Sequence, residues 1–173
     1  SVSAILKIAI EKKMALSLSK LLAETKSQLG AFIHKDHENG LLKKLDTFFK
    51  DRFKSLMVDR GFMEDLVDAV TASDFDVPYE AYRRLESLNG LVGEELFSKA
   101  WKVVERTVNI LKGNKEMLPD KIDPSFFAEE LEREVFRHYE ASHQAIRQAV
   151  DVRDYRVATD LYASAFFDIL DEF

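Results

Sequence analysis

The sequence predicts an all-α protein, a bundle of about eight helices, and three observations predict it. Apolar residues recur at three- and four-residue intervals along nearly the whole chain. No segment sustains the apolar–polar alternation of a half-buried strand. Only three prolines and six glycines occur, and they stand where helices should stop.

Taken in order, a first helix is expected over residues 2–13. A second, opened by Ser17 or Ser19, runs to about residue 33. Residues 34–40, with His34, Asp36, His37 and Gly40, read as a polar loop. A long helix follows over 41–60, with Gly61 as its stop. Residues 63–72 form a short helix. Pro78 then sits in the first turn of the next, which ends at Asn89-Gly90. A sixth helix covers about 93–112 and is ended by Gly113-Asn114. Residues 113–125 carry Pro119 and Pro124 and form the longest irregular stretch. A long acidic helix is expected over 126–150, and a last one opens after Asp154 as N-cap.

The balance of 46% hydrophobic and 32% charged residues is that of an ordinary folded domain, and 173 residues suffice for a real core. With no cysteine, disulfides, thiolate metal sites and cysteine nucleophiles are excluded. No apolar run reaches the ~18 residues needed to span a bilayer. The start lacks an initiator methionine and the ordering of a signal peptide, so the chain is expected to be cut from something larger.

The net charge of −6 argues against nonspecific nucleic-acid binding, but it is unevenly spread. Fourteen basic and fourteen acidic residues balance over 1–90, whereas 91–173 carries eleven against seventeen. The division of the chain is expected near Asn89-Gly90, where this balance changes. Inside the acidic half, residues 99–115 hold Lys99, Lys102, Arg106, Lys112 and Lys115 against Glu105 alone. A positive island in a negative field points to a localised anionic partner.

On a helical wheel, Phe97, Trp101, Val104, Val108 and Leu111 fall within an arc of about 80° and are expected to face the core. Lys99, Lys102, Arg106 and Asn109 gather on another arc of about 80°, well separated from it. The bland reading is a solvated face; the sharper one is a binding row. His34, Asp36 and His37 have short spacing but too few ligands, and are expected to face solvent rather than hold a metal. Trp101 and the pairs Phe48-Phe49, Phe126-Phe127 and Phe166-Phe167 read as core rather than as base-stacking platforms.

Several motifs then stand in a familiar order. Phe48-Phe49-Lys50-Asp51-Arg52-Phe53-Lys54, the Gly61 turn and Asp65-Leu66-Val67-Asp68-Ala69-Val70 resemble a segment of the glycyl-tRNA synthetase β subunit, bacterial type. Tyr82 to Leu88 continues in register. Arg106-Thr107-Val108-Asn109-Ile110-Leu111-Lys112 is similar to that family's Lys-Arg-Val-x-Asn-Ile-Leu motif. Asp154-Tyr155, Ala158 and Ala165-Phe166-Phe167-Asp168 resemble a run near the family's C-terminus, and residues 4–16 resemble the helix that precedes these elements. The family's Lys-Arg pair is Glu105-Arg106 here, so only Arg106 carries over, with Lys102 one turn earlier.

The resemblance implies that residues 1–90 are a helical body segment and 91–173 an anticodon-binding helical domain of the arginyl-synthetase type, truncated at its C-terminus. The family continues past this point, so some apolar surface is expected to be exposed. It further implies a cytoplasmic protein whose partners are glycine tRNA and the synthetase α portion, with no membrane or DNA. ATP and magnesium belong to the α portion's active site, so neither a cofactor nor a catalytic residue is expected here. Lys99, Lys102, Arg106, Asn109, Lys112 and Lys115 are the expected tRNA-binding residues. Glycine anticodons share two cytosines, whose edges need both donors and acceptors, while the lysines would meet phosphates. A rival reading is a helical scaffold or adaptor that binds protein through its acidic face; a distant third is a hydrolase using the His34–His37 loop.

Overall fold

A computed structural model describes residues 1–29, 38–113 and 122–171. Among them lie eight α-helices and no strand: α1 (Val2–Glu11), α2 (Leu18–Leu29), α3 (Glu38–Asp59), α4 (Glu64–Ala72), α5 (Pro78–Leu91), α6 (Glu95–Gly113), α7 (Glu130–Asp151) and α8 (Tyr155–Asp171). The protein is therefore all-α. It divides into two compact units, Ser1–Gly90 and Leu91–Phe173, each described by itself.

In the first unit, α3 supplies the longest apolar face. Phe49, Phe53, Leu56 and Met57 follow one another at helical spacing and are all buried. α3 packs against α1 and α4, and Leu6, Ala9 and Ile10 of α1, Leu66, Val67 and Val70 of α4, and Ala81 and Leu85 of α5 are buried as well. Phe53 packs edge-on against Phe75, with ring centroids 5.0 Å apart. Each such large side chain, once buried, contributes about 1.5–3 kcal/mol of transfer free energy. Lys54 holds α3 to α4, reaching Glu64 at 2.8 Å and Asp68 at 2.7 Å.

Helix ends follow local chemistry. After α3, Gly61 adopts φ +90. Its N–H donates to the Val58 carbonyl, and the next N–H, of Phe62, donates to Met57. This paired closure needs a left-handed residue, and glycine takes that conformation without a Cβ clash. α2 begins at a clip made by Asp76: its carboxylate accepts from the Ser17 hydroxyl and from the Ser19 N–H, both at 2.7 Å. The Ser17 hydroxyl in turn accepts from the Lys20 N–H.

Three boundaries differ from the sequence expectation. Asn89 and Gly90 lie inside α5, which runs to Leu91; the left-handed residue after it is Gly93, φ +86. α3 begins at Glu38, so Asn39 and Gly40 belong to its first turn and not to a loop. α7 begins at Glu130 and not near 126. Phe126 ends a short 3-10 turn, Pro124–Phe126, and is 83% exposed. The start of α7 is set by a capping box in which the Glu132 carboxylate accepts from the Glu129 N–H at 2.9 Å.

In the second unit, α8 packs against both α7 and α6. Val103, Ile169 and Leu170 form the buried cluster, backed by Leu131, Val135, Tyr162, Phe166 and Phe167. The α7–α8 turn closes like that after α3, with Arg153 left-handed at φ +62 and Asp154 N–H donating to Ala149. Asp154 then caps α8, its carboxylate accepting from the Val157 N–H at 3.1 Å.

Candidate nucleic-acid interface

α6 carries the basic row, and its orientation is the first finding. The side facing α8 is centred on Val103, 1% exposed, with Leu96, Ala100 and Thr107 half-buried around it. The stripe expected to be core is not. Trp101 is 61% exposed, Val104, Val108 and Leu111 are also exposed, and only Phe97 is half-buried. The reason lies in the width of the apolar surface. Leu96, Ala100, Val103 and Ile110 extend the Phe97–Leu111 arc to about half the wheel, and α8 takes the far edge of it.

This rotation brings the cations toward α8. The Lys99 ammonium lies 5.5 Å from the centre of the Phe167 ring and that of Lys102 lies 5.6 Å from the same centre. Lys99 also pairs with Glu95 at 2.9 Å. That hydrogen bond raises the Lys99 pKa and holds the Glu95 carboxyl below its ordinary range. Arg106 is half-buried and donates from its guanidinium to the backbone carbonyl of Leu170. The expectation that the cationic face stands well apart from the packed face is corrected accordingly: Lys99 and Arg106 lie on the edge of the α6–α8 seam.

Lys102, Asn109 and Lys112 are exposed, and the Lys112 ammonium donates to the Asn109 side-chain oxygen at 3.4 Å. Lys115 lies outside the described residues, as do His34, Asp36 and His37. Among the described residues, no group of three or more His, Asp or Glu is placed to hold a metal ion, and no helix is long and apolar enough to cross a membrane.

The structure thus gathers Lys99, Lys102 and Arg106 along the last two turns of α8 and leaves Asn109 and Lys112 further along α6. Sequence reasoning missed Phe167 and the Leu170 carbonyl as partners of the row. The paired phenylalanines carried a signal for it: Phe166 packs inward on Tyr162, with centroids 5.5 Å apart, so its neighbour must turn elsewhere. Elsewhere in this unit, Glu94 receives two hydrogen bonds from Arg156, at 3.0 and 2.7 Å, tying the entry of α6 to the first turn of α8.

Between α6 and α7, above α8, runs an open groove of about 540 Å³. Its walls are apolar, including Ile110, Leu111, Phe136, Tyr139, Tyr162 and Phe166. Exposed apolar side chains of this unit include the Trp101 stripe beside this groove and, apart from both, Phe126 and Val152.

Comparison with known proteins accords with the motifs. Residues 1–72 match the family model described as glycyl-tRNA synthetase beta subunit. The chain is 30% identical over 160 residues to the glycine–tRNA ligase beta subunit of Geotalea daltonii, covering 92% of this chain and 23% of that protein. It is 26% identical over 172 residues to the Bacillus subtilis beta subunit, covering 96% and 23%. With the Clostridioides difficile beta subunit it shares 30% identity, over 92% and 22%. Over nine-tenths of its length this all-α chain is thus similar to part of proteins named as glycine–tRNA ligase beta subunits. The likeness is to the glycyl-tRNA synthetase β-subunit family. It spans about a quarter of the length of the curated relatives it matches.

Proposed function

We propose that this chain is the tRNA-binding segment of a glycyl-tRNA synthetase β portion. In this reading, residues 91–173 are the anticodon-binding domain, of the arginyl-synthetase type, and residues 1–90 are the helical body that precedes it. The observation that carries the reading is the basic row of α6, set in an acidic half and gathered against the end of α8. A ligase subunit must hold a polyanion, and a localised cationic row holds one region of it without adhering to nucleic acid at large.

Within the row, Lys99, Lys102, Lys112 and Lys115 meet phosphates of the anticodon arm. Asn109 carries both a donor and an acceptor, the combination a cytosine edge requires. Arg106, anchored on Leu170, adds positive potential from the seam and fixes the row's centre. Glycylation, with ATP and magnesium, takes place on the α portion in the cytoplasm; this segment contributes binding and no catalytic group or cofactor. The rival reading, a helical adaptor working through its acidic face, gains nothing from relatives named as ligase subunits.

Hydroxyl-radical footprinting of glycine tRNA with this chain tests the proposal. Protection is expected in the anticodon arm, and absent from a tRNA for another amino acid. Protection confined to the acceptor end, or shared by both tRNAs, overturns it.

A further inference from the structure

We propose that Phe167 is the positioning residue of the basic row, a single aromatic ring that holds Lys99 and Lys102 side by side for an RNA phosphate. The inference rests on reading this unit as an RNA-binding domain, and it adds a residue outside the row itself. Both ammonium groups lie within 6 Å of one ring centre, the range in which an aromatic quadrupole attracts a cation. The lysines are three positions apart on α6, which places them one above the other on the same side of the helix. The ring cannot easily follow them if they move: Phe167 is packed against the Val103, Ile169 and Leu170 cluster.

A lysine stem is long and flexible, and ordering it costs conformational entropy whenever its charge is used. The ring removes part of that cost before any ligand arrives. The ring itself neutralises neither charge: Glu95 already pairs with Lys99, and a phosphodiester, negative and rich in acceptors, adds a partner that can bond to both lysines. Glu95 holds Lys99 from the other side at 2.9 Å, so Lys99 is fixed at two points. Phe166, the neighbour, cannot take this part because it packs inward on Tyr162 and lines the groove.

Two measurements test the proposal, and they separate its failure from failure of the RNA reading. In the free chain, the ε-methylene proton resonances of Lys99 and Lys102 should be displaced upfield by the ring. Phe167→Leu should abolish the displacement and Phe167→Tyr should keep it. Unshifted resonances in the wild-type chain overturn the positioning role whatever the RNA does. In titrations of glycine tRNA, Phe167→Leu should weaken binding about 3- to 10-fold, and Phe167→Tyr should restore it. In a Lys99→Met, Lys102→Met background, Phe167→Leu should have no further effect. An equal loss in both backgrounds means that the ring acts only through packing and overturns the proposal. Shifted lysine resonances in a wild-type chain that does not bind tRNA would instead sink the RNA reading.

Discussion

The guanidinium of Arg106, midway along α6, donates to the backbone carbonyl of Leu170 in the last turn of α8. The last four carbonyls of a helix have no partner within it, and a cation suits the negative end of the helix dipole. Arg106 therefore does structural work at the seam from which the basic row projects. Arg106→Leu is expected to lower stability by about 1–2 kcal/mol, the cost of leaving such a carbonyl without its charged donor. Urea denaturation followed by circular dichroism measures it. An unchanged midpoint would show that the Arg106–Leu170 bond contributes nothing.

The orientation of α6 gives a second prediction. Val103→Ala should cost about 1–3 kcal/mol, since Val103 is fully enclosed. Trp101→Ala removes a far larger side chain, yet should change stability by less than about 0.5 kcal/mol, because Trp101 is 61% exposed. The reverse order in thermal or urea melts would mean that the Phe97–Leu111 stripe is the packed one after all.

That reversal also marks the limit of what periodicity could tell. Elements whose ends depend on local chemistry were readable: Gly61 closes the turn after α3, Pro78 starts α5 and Asp154 caps α8. The sequence left Ser17 and Ser19 both open for α2, and the structure selects Ser17. The face of α6 was not readable, since its apolar surface covers half the wheel and only the placement of α8 decides which edge is buried. Gly90 was likewise ambiguous, because a glycine can lie within a helix, and the left-handed Gly93 is the one that follows it. At the site, the row itself was legible as charge. Its partners were not, because Phe167 and Leu170 lie more than sixty positions away in sequence.

Asp76 makes stability depend on pH in a known direction. Partial burial works to raise its carboxyl, but the Ser17 hydroxyl and Ser19 N–H outweigh it and hold the group below the ordinary aspartate range. A carboxyl depressed in the folded state stabilises fully above its unfolded pKa, and this contribution fades as pH falls through the folded value. Asp76→Asn should therefore destabilise at neutral pH and flatten the acid limb of a stability profile. Equal slopes for both proteins on acidification would contradict the clip.

Arg153 occupies a left-handed turn that glycine takes without strain. Arg153→Gly should stabilise the chain by about 0.5–1 kcal/mol, read as a shift in the thermal midpoint. A loss of stability would show that the arginine side chain contributes more at this turn than its backbone conformation costs.

The most direct test of the account is the salt dependence of glycine tRNA binding, measured by fluorescence anisotropy. With about four phosphate contacts, raising salt from about 50 to about 200 mM should weaken binding roughly 50-fold. Lys102→Ala should lower the logarithmic slope by about one, and a control tRNA should bind more weakly throughout. Affinity that ignores salt, or a slope unmoved when Lys99, Lys102 and Lys112 are all replaced, would contradict the assignment of the α6 row to RNA.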